Sequence, residues 1–167
     1  MPIPAASSPH DGVDYVELEE TPLAVVRATG VTMDEIRGIF DSAFGALGAA
    51  IGEGAISPAG PGLAVYHGDP ADTFDLEVGF PIAGPLIAPI AMQDTVIEPG
   101  SIPGQRVAAA SHLGGYDGLG AAWERIISGA TEDGHQPSGV LIEVYVADPS
   151  NSSEEDLRTD LYFPVGS

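Results

Sequence analysis

The segment LIEVYVADP, Leu141 to Pro149, holds the residues best placed to do chemistry. Glu143 sits among Leu141, Ile142, Val144, Tyr145 and Val146, a run that otherwise reads as an apolar β-strand. Side chains alternate along a strand, so Leu141, Glu143 and Tyr145 share one face and Ile142, Val144 and Val146 the other. The second set is wholly aliphatic and suits a core covered by helices. The first set then faces either water or a cleft. A carboxylate in an aromatic cleft has two uses. Ionised, it neutralises a cationic ligand, and Tyr or Trp faces add cation–π attraction of roughly 0.5–2 kcal/mol each. With its proton held by desolvation, it acts as a general acid or base. Both uses need the same placement, and the residues alone leave both open.

Four further residues could join it. Trp123 shares a helical face with Leu119 and Ile126, where it reads as a core aromatic. Tyr66 occupies the place of Tyr145 in an earlier, similar stretch. Tyr116 precedes a helix and reads as a lid or a cap. His112 could transfer a proton, although a turn suits it as well. The four His, at positions 10, 67, 112 and 135, lack the spacing of metal ligands, so neither a metal nor a cofactor is expected. There is no nucleophile elbow, phosphate-binding loop or dinucleotide fingerprint.

The elements that carry these residues occur twice. VDYVELEE (13–20) alternates like a half-wet strand, and TPLAVVRATG (21–30) follows as a more buried one. Thr32 and Glu35 have the spacing of a capping box, and Ile36, Ile39, Phe40, Phe44 and Leu47 recur on one helical face. GPGLAVYHGDP and DTFDLEVGFPI then read as a hairpin. After a Pro-punctuated linker the order restarts with a strand at 106–111. A helix follows with Leu119, Ala122, Trp123, Ile126 and Ile127 on one face, then two strands ending at Val165. AVVRATG falls over RVAAASH, VYHGDP over VYVADP and VGFPI over LYFPV. These three strand matches, with a helix in the same place of each half, make this a duplicated strand-helix-strand-strand unit. Repeat one covers about 13–82, the linker 83–95 and repeat two 96–166, after a tail of residues 1–12. Two such units related by a pseudo-twofold can join their sheets and line a groove where they meet. The two Asp-Pro pairs read as turns, and Phe80 and Phe163 as fold-closing packing.

Composition narrows the partners. The 167 residues carry 25 acids against 5 Arg and no Lys, a net charge of −20. Such a field repels nucleic acids and anionic membranes and draws cations and basic proteins. Without Cys there is no disulfide and no thiolate chemistry. The N-terminus lacks the pattern of a signal peptide, and the longest apolar stretch is broken by Gly84, Pro85 and Pro89. A cytoplasmic protein is expected.

HLGGY at His112 to Tyr116, Trp123, EVYVADP at Glu143 to Pro149 and the closing DLYFPV together resemble the GyrI-like family. These are bacterial effector-binding domains, found alone or behind AraC- or MerR-type DNA-binding domains. The resemblance covers about Asp14 to Val165. It implies an α+β fold: an eight-stranded antiparallel sheet around a central groove, with helices packed outside. It also implies that Glu143 lies in that groove and keeps a pocket-wall role open for Trp123; Tyr145, Leu141, Tyr116, Tyr66 and His112 are the further candidate neighbours from their positions. No DNA-binding segment is expected before Val13. Ala64 stands where the first half would match Glu143, so the site is expected nearer the second repeat. The leading expectation is a stand-alone domain that binds lipophilic or cationic-amphipathic compounds. The alternatives are a hydrolase of cyclopropane-bearing compounds using Glu143 and Tyr145, and an acidic module that binds a basic partner such as gyrase. A homodimer through an exposed edge strand is a further expectation.

Overall fold

The duplicated halves each supply four strands and one long helix to a computed structural model. It describes residues 13–68, 73–84, 86–92, 95–102, 104–113, 118–134, 140–145 and 158–165. The first half contains β1 (Asp14–Leu18), β2 (Thr21–Val31), α1 (Ile36–Gly52), β3 (Leu63–Gly68) and β4 (Phe74–Pro81). A short strand, β5 (Ile90–Met92), follows. The second half contains β6 (Thr95–Ile102), β7 (Gln105–Leu113), α2 (Leu119–Glu132), β8 (Val140–Tyr145) and β9 (Arg158–Pro164). All nine strands form one antiparallel sheet, in the order β1-β7-β9-β8-β3-β4-β2-β6-β5. Eight of them are the two sets of four that the resemblance implies. The ninth, β5, is made from the linker and pairs with β6. The tail of residues 1–12 and both Asp-Pro turns lie outside the described residues.

The halves exchange their first strands. β1 pairs with β7 of the second half, and β6 pairs with β2 of the first. Neither half therefore completes its own sheet, and the two fold as one unit. They meet where β3 pairs with β8, and there Ala64 is the direct partner of Glu143. These two positions are also equivalent in the repeat, because Tyr66 matches Tyr145. A residue that faces its own equivalent marks the axis. The pseudo-twofold passes between Ala64 and Glu143, so the carboxylate is central, not displaced toward the second repeat.

The two sheet faces carry different cores. Ile142, Val144, Leu63, Val65, Leu23, Val25, Val107 and Tyr162 form one buried cluster that reaches Leu18 of β1 and Ile102 of β6. β1 and β2 stand near opposite ends of the order yet are joined by Glu19 and Glu20 alone, so the sheet curls about this face, without closing into a barrel. The helices cover the opposite face. There Ala24, Leu76, Val78, Leu141, Leu161 and Phe163 pack with Ala43, Leu47, Ala50, Ala122 and Ile126. This reverses the expectation that Ile142 and Val144 meet the helices while Glu143 faces away; Val146, named with them, lies outside the described residues. Alternation decides which residues share a face, but not which face the helices choose.

Small residues set how closely the layers approach. α1 presents Ala43, Ala46, Leu47 and Ala50 to the sheet, and α2 presents Ala122, Ile126 and Ala130. The larger Phe40, Phe44, Trp123 and Ile127 are pushed to the helix shoulders, where they are half-buried. At Gly79 on β4, any Cβ would overlap the Ala24 carbonyl oxygen and crowd the Val25 backbone on β2. Only Gly permits that pairing.

Candidate functional site

The geometry of the sheet centre follows from where the two helices pack. α1 packs on β4 and β2, and α2 packs on β7. The middle strands β9, β8 and β3 lie between these contacts, and their helix-side residues Leu161, Leu141 and Tyr66 are buried. Glu143 stands on the helix-side face of β8 with only 4 % of its surface exposed. Tyr66 Oη donates to its Oε1 at 3.0 Å and Tyr145 Oη donates to the same oxygen at 2.7 Å. Trp123 Nε1 donates to Oε2 at 2.8 Å. The dyad explains this set: the two tyrosines are repeat equivalents, one from each half, and both reach inward to the single acid on the axis. Hydrogen bonds to a carboxylate are stronger than neutral ones. Among the described residues no Arg or His forms an ion pair with Glu143.

The surroundings are aromatic. Tyr145 meets Phe40 edge-on at 6.0 Å between ring centroids and Phe44 at 6.4 Å. Phe44 meets Phe80 at 5.8 Å, and Tyr66 meets Phe74 at 5.5 Å. Burial, and next to it the negative charge of Glu143, pushes the phenols of Tyr66 and Tyr145 well above the usual tyrosine range. Both therefore keep their protons and act as donors. The arrangement can hold a positive charge against Glu143 while rings enclose its apolar parts. It can also hold a carboxylate next to two proton-bearing phenols.

Of the residues singled out by sequence, Glu143, Tyr145, Tyr66 and Trp123 come together here. Trp123 leaves the helix core and places its N–H on the acid. Leu141 is buried on the same sheet face, opposite Tyr66. His112 lies within β7 and not in a turn, with its ring against Gly118 at the start of α2, where a Cβ would come within 2.7 Å. Tyr116 lies outside the described residues. Phe40 and Phe44 were not singled out. The repeat offers a signal for Phe40: with Leu47 matched to Ala130 and Ala43 to Ile126, it falls at the place of Trp123. A second polar group was also illegible. Asp160, fully buried on the opposite face, is held by Arg158 Nε and Nη2 at 2.8 Å each, by Ser111 Oγ at 2.8 Å and by Tyr162 Oη at 3.2 Å. A cavity of about 250 Å³ lies on the other shoulder of α2, among Val13, Ala110, Ala122, Arg125, Ile126 and Leu161. Leu161, the ladder partner of Glu143 on β9, stands between it and the acid.

Among the described residues there is no group of three or more His, Asp or Glu that could hold a metal ion, and no helix is long and apolar enough to cross a membrane.

Known proteins share this architecture. The EcmrR C-terminal domain superposes with a TM-score of 0.72 at 15 % identity, covering 93 % of this chain and 97 % of that one. EcmrR in its DNA-bound transcription complex gives 0.73 at 15 % identity, and this chain spans 57 % of that longer protein. SAV2435 bound to tetraphenylphosphonium gives 0.70 at 9 % identity, covering 94 % and 95 % of the two chains. A hydrolase encoded by lin2189 from Listeria innocua gives 0.63 at 12 % identity, covering 96 % and 94 %. At such identities the likeness is one of fold. No curated protein matches the chain in sequence. The GyrI-like small molecule binding domain matches residues 7–166, and the chain belongs to that family.

Proposed function

We propose that the groove takes a lipophilic or cationic-amphipathic molecule, with its positive charge against Glu143. The observation that carries this reading is a carboxylate buried to 4 % exposure, given three hydrogen bonds but no cation among the described residues. Neutral donors reduce the cost of burying a charge and leave its field uncancelled. A bulky cation with delocalised, weakly hydrated charge loses little on leaving water and gains the field of Glu143. Phe40, Phe44, Tyr145 and Trp123 offer ring faces to it. The tetraphenylphosphonium bound to SAV2435 is a cation of that kind.

The chain has one Trp, and its indole N–H is bonded to Glu143. Titration with tetraphenylphosphonium should give a saturable change in Trp123 emission. A flat titration, with calorimetry also showing no heat of binding, sinks the reading.

A second reading is hydrolysis. It is favoured by the two phenols within 3.0 Å of one carboxylate oxygen and by the fold likeness to the Listeria innocua hydrolase. For a strained, electrophilic cyclopropane, Glu143 would take a proton from water as the water oxygen bonds a ring carbon. The ring C–C bond breaks, Tyr145 protonates the released carbon, and the proton on Glu143 passes back to Tyr145 Oη, 2.7 Å away. Incubation followed by mass spectrometry should then show product gaining one water above the buffer rate. Binding without that product leaves the first reading alone.

A further inference from the structure

Thr159 is fully buried, and its Oγ1 makes no hydrogen bond. Its strand position puts it on the helix-side face, the face that carries Glu143. Along β9, Leu161 and Phe163 join the helix-side core, so Thr159 shares their face while Asp160 and Tyr162 take the other. In the ladders Thr159 lies opposite Tyr145 on one side and His112 on the other. The row His112–Thr159–Tyr145 thus crosses that face one step from the row that holds Glu143. The dyad supplies an internal comparison. Its equivalent at the other end of the site is Ala28–Leu76–Tyr66, because the ladders match Ala24 to Ala108 and so move the alignment of AVVRATG on RVAAASH by two residues. Both rows keep the tyrosine, but the second half has Thr and His where the first has Leu and Ala. One end of the site is therefore apolar and the other carries a buried hydroxyl that no protein atom satisfies. Leu76 shows that an apolar side chain is compatible with this position of the fold. A buried hydroxyl without a partner is unfavourable, so its presence is consistent with a partner supplied from outside.

The geometry points to Thr159 as a specificity subsite: the groove prefers lipophilic cations that carry a hydrogen-bonding oxygen over cations that are apolar all round. Diagonal neighbours on adjacent strands are about 7–8 Å apart, and that sets the separation between the oxygen and the positive centre at Glu143. This inference rests on the binding reading above and adds the ligand's second recognised group.

The test compares tetraphenylphosphonium with its derivative bearing one para-hydroxymethyl group. The full chain should bind the hydroxymethyl compound about tenfold more tightly, as expected for one hydrogen bond made in a buried site. Thr159→Val, which keeps the shape and removes the hydroxyl, should erase that preference and leave tetraphenylphosphonium affinity within about twofold. Thr159→Ser should keep the preference. Thermal unfolding checks that each variant is folded, and Thr159→Val should unfold at the same or a higher temperature. Equal affinities in the unsubstituted protein, as a fixed water on Thr159 would give, overturn the subsite and leave the Glu143 reading standing. So does a preference that survives Thr159→Val. Binding of neither compound overturns both.

Discussion

Replacing Glu143 by Gln separates charge from shape. The amide can turn its Oε1 to the Trp123 N–H and its NH2 to the oxygens of Tyr66 and Tyr145, so no buried donor or acceptor is orphaned. Fold stability should therefore change by no more than about 1 kcal/mol, since the hydrogen bonds are exchanged and not lost. The interaction with a bound cation does not survive the change. At about 5 Å and an effective dielectric of about 20, two unit charges attract by about 3 kcal/mol. That is a loss of roughly a hundredfold in affinity for a cation such as tetraphenylphosphonium. A neutral compound of similar size should lose less than about threefold on the same scale. The overall charge of −20 also attracts cations, but from the surface. Glu20→Gln, at an exposed site, removes one charge from that field and should leave affinity unchanged. Raising salt from about 50 to 500 mM should weaken binding only slightly if the charge lies in the groove, because buried pairs are poorly screened. Calorimetry on the two variants with charged and neutral ligands gives the answer. Equal losses for both ligands in Glu143→Gln, or equal losses in Glu143→Gln and Glu20→Gln, refute the electrostatic role.

Tyr66→Phe or Tyr145→Phe each removes a hydrogen bond to the charged acid and should lower urea-measured stability by about 1.5–3 kcal/mol. The double variant should cost less than the sum, because both donors reach one oxygen. Both phenols have folded-state pKa values raised above the unfolded value. The stability they lend is therefore intact below about pH 10 and lost as pH rises above it; denaturation curves between about pH 8 and 11.5 should show this, with a shallower fall in the double Phe variant. Arg158→Met strands the buried Asp160 carboxylate and should cost about 3–5 kcal/mol in thermal or urea unfolding, much of it recovered when Asp160→Leu is added. Gly79→Ala drives a methyl group into the Ala24 carbonyl on β2, and circular dichroism should show loss of the cooperative fold, since backbone at the centre of a sheet has no room to yield.

Alternation and helical spacing made seven of the nine strands and both helices legible. β6 was not, because Pro99 and Gly100 give it the composition of a turn, yet Ala24 pairs with Pro99 and the Pro99 carbonyl accepts from Arg27. β5 has only three residues and sits in a Pro-rich linker. In the helices, spacing named the right faces and misjudged their centres. The alanines, which contribute little to any hydrophobic pattern, lie deepest, and the aromatics stand beside the site. That displacement is also why Trp123 read as core. Thr32 and Glu35 do interact, with the Glu35 carboxylate accepting from the Thr32 N–H at 3.1 Å, but a 3-10 turn precedes α1. Asp160 could not be distinguished from the solvated acids of so acidic a chain. Its Arg158 partner is two residues away on the same strand face, a pattern that exposed pairs also show.

The position of Glu143 on the dyad explains why a duplicated chain keeps the acid in one half only. Ala64 and Glu143 face each other across β3 and β8, where Cβ atoms on directly opposed residues stand about 4.5–5.5 Å apart. A carboxylate at both positions would set two like charges against each other in a buried site, and one would have to hold a proton. With Ala on one side, the single acid accepts from a donor of each half and keeps its charge uncancelled. The symmetric donors fix where that charge sits. Positions that break the symmetry, among them Thr159 against Leu76, His112 against Ala28 and Trp123 against Phe40, are then free to differ between the two ends of the site. On the binding reading proposed above, selection between ligands of equal charge would act through them.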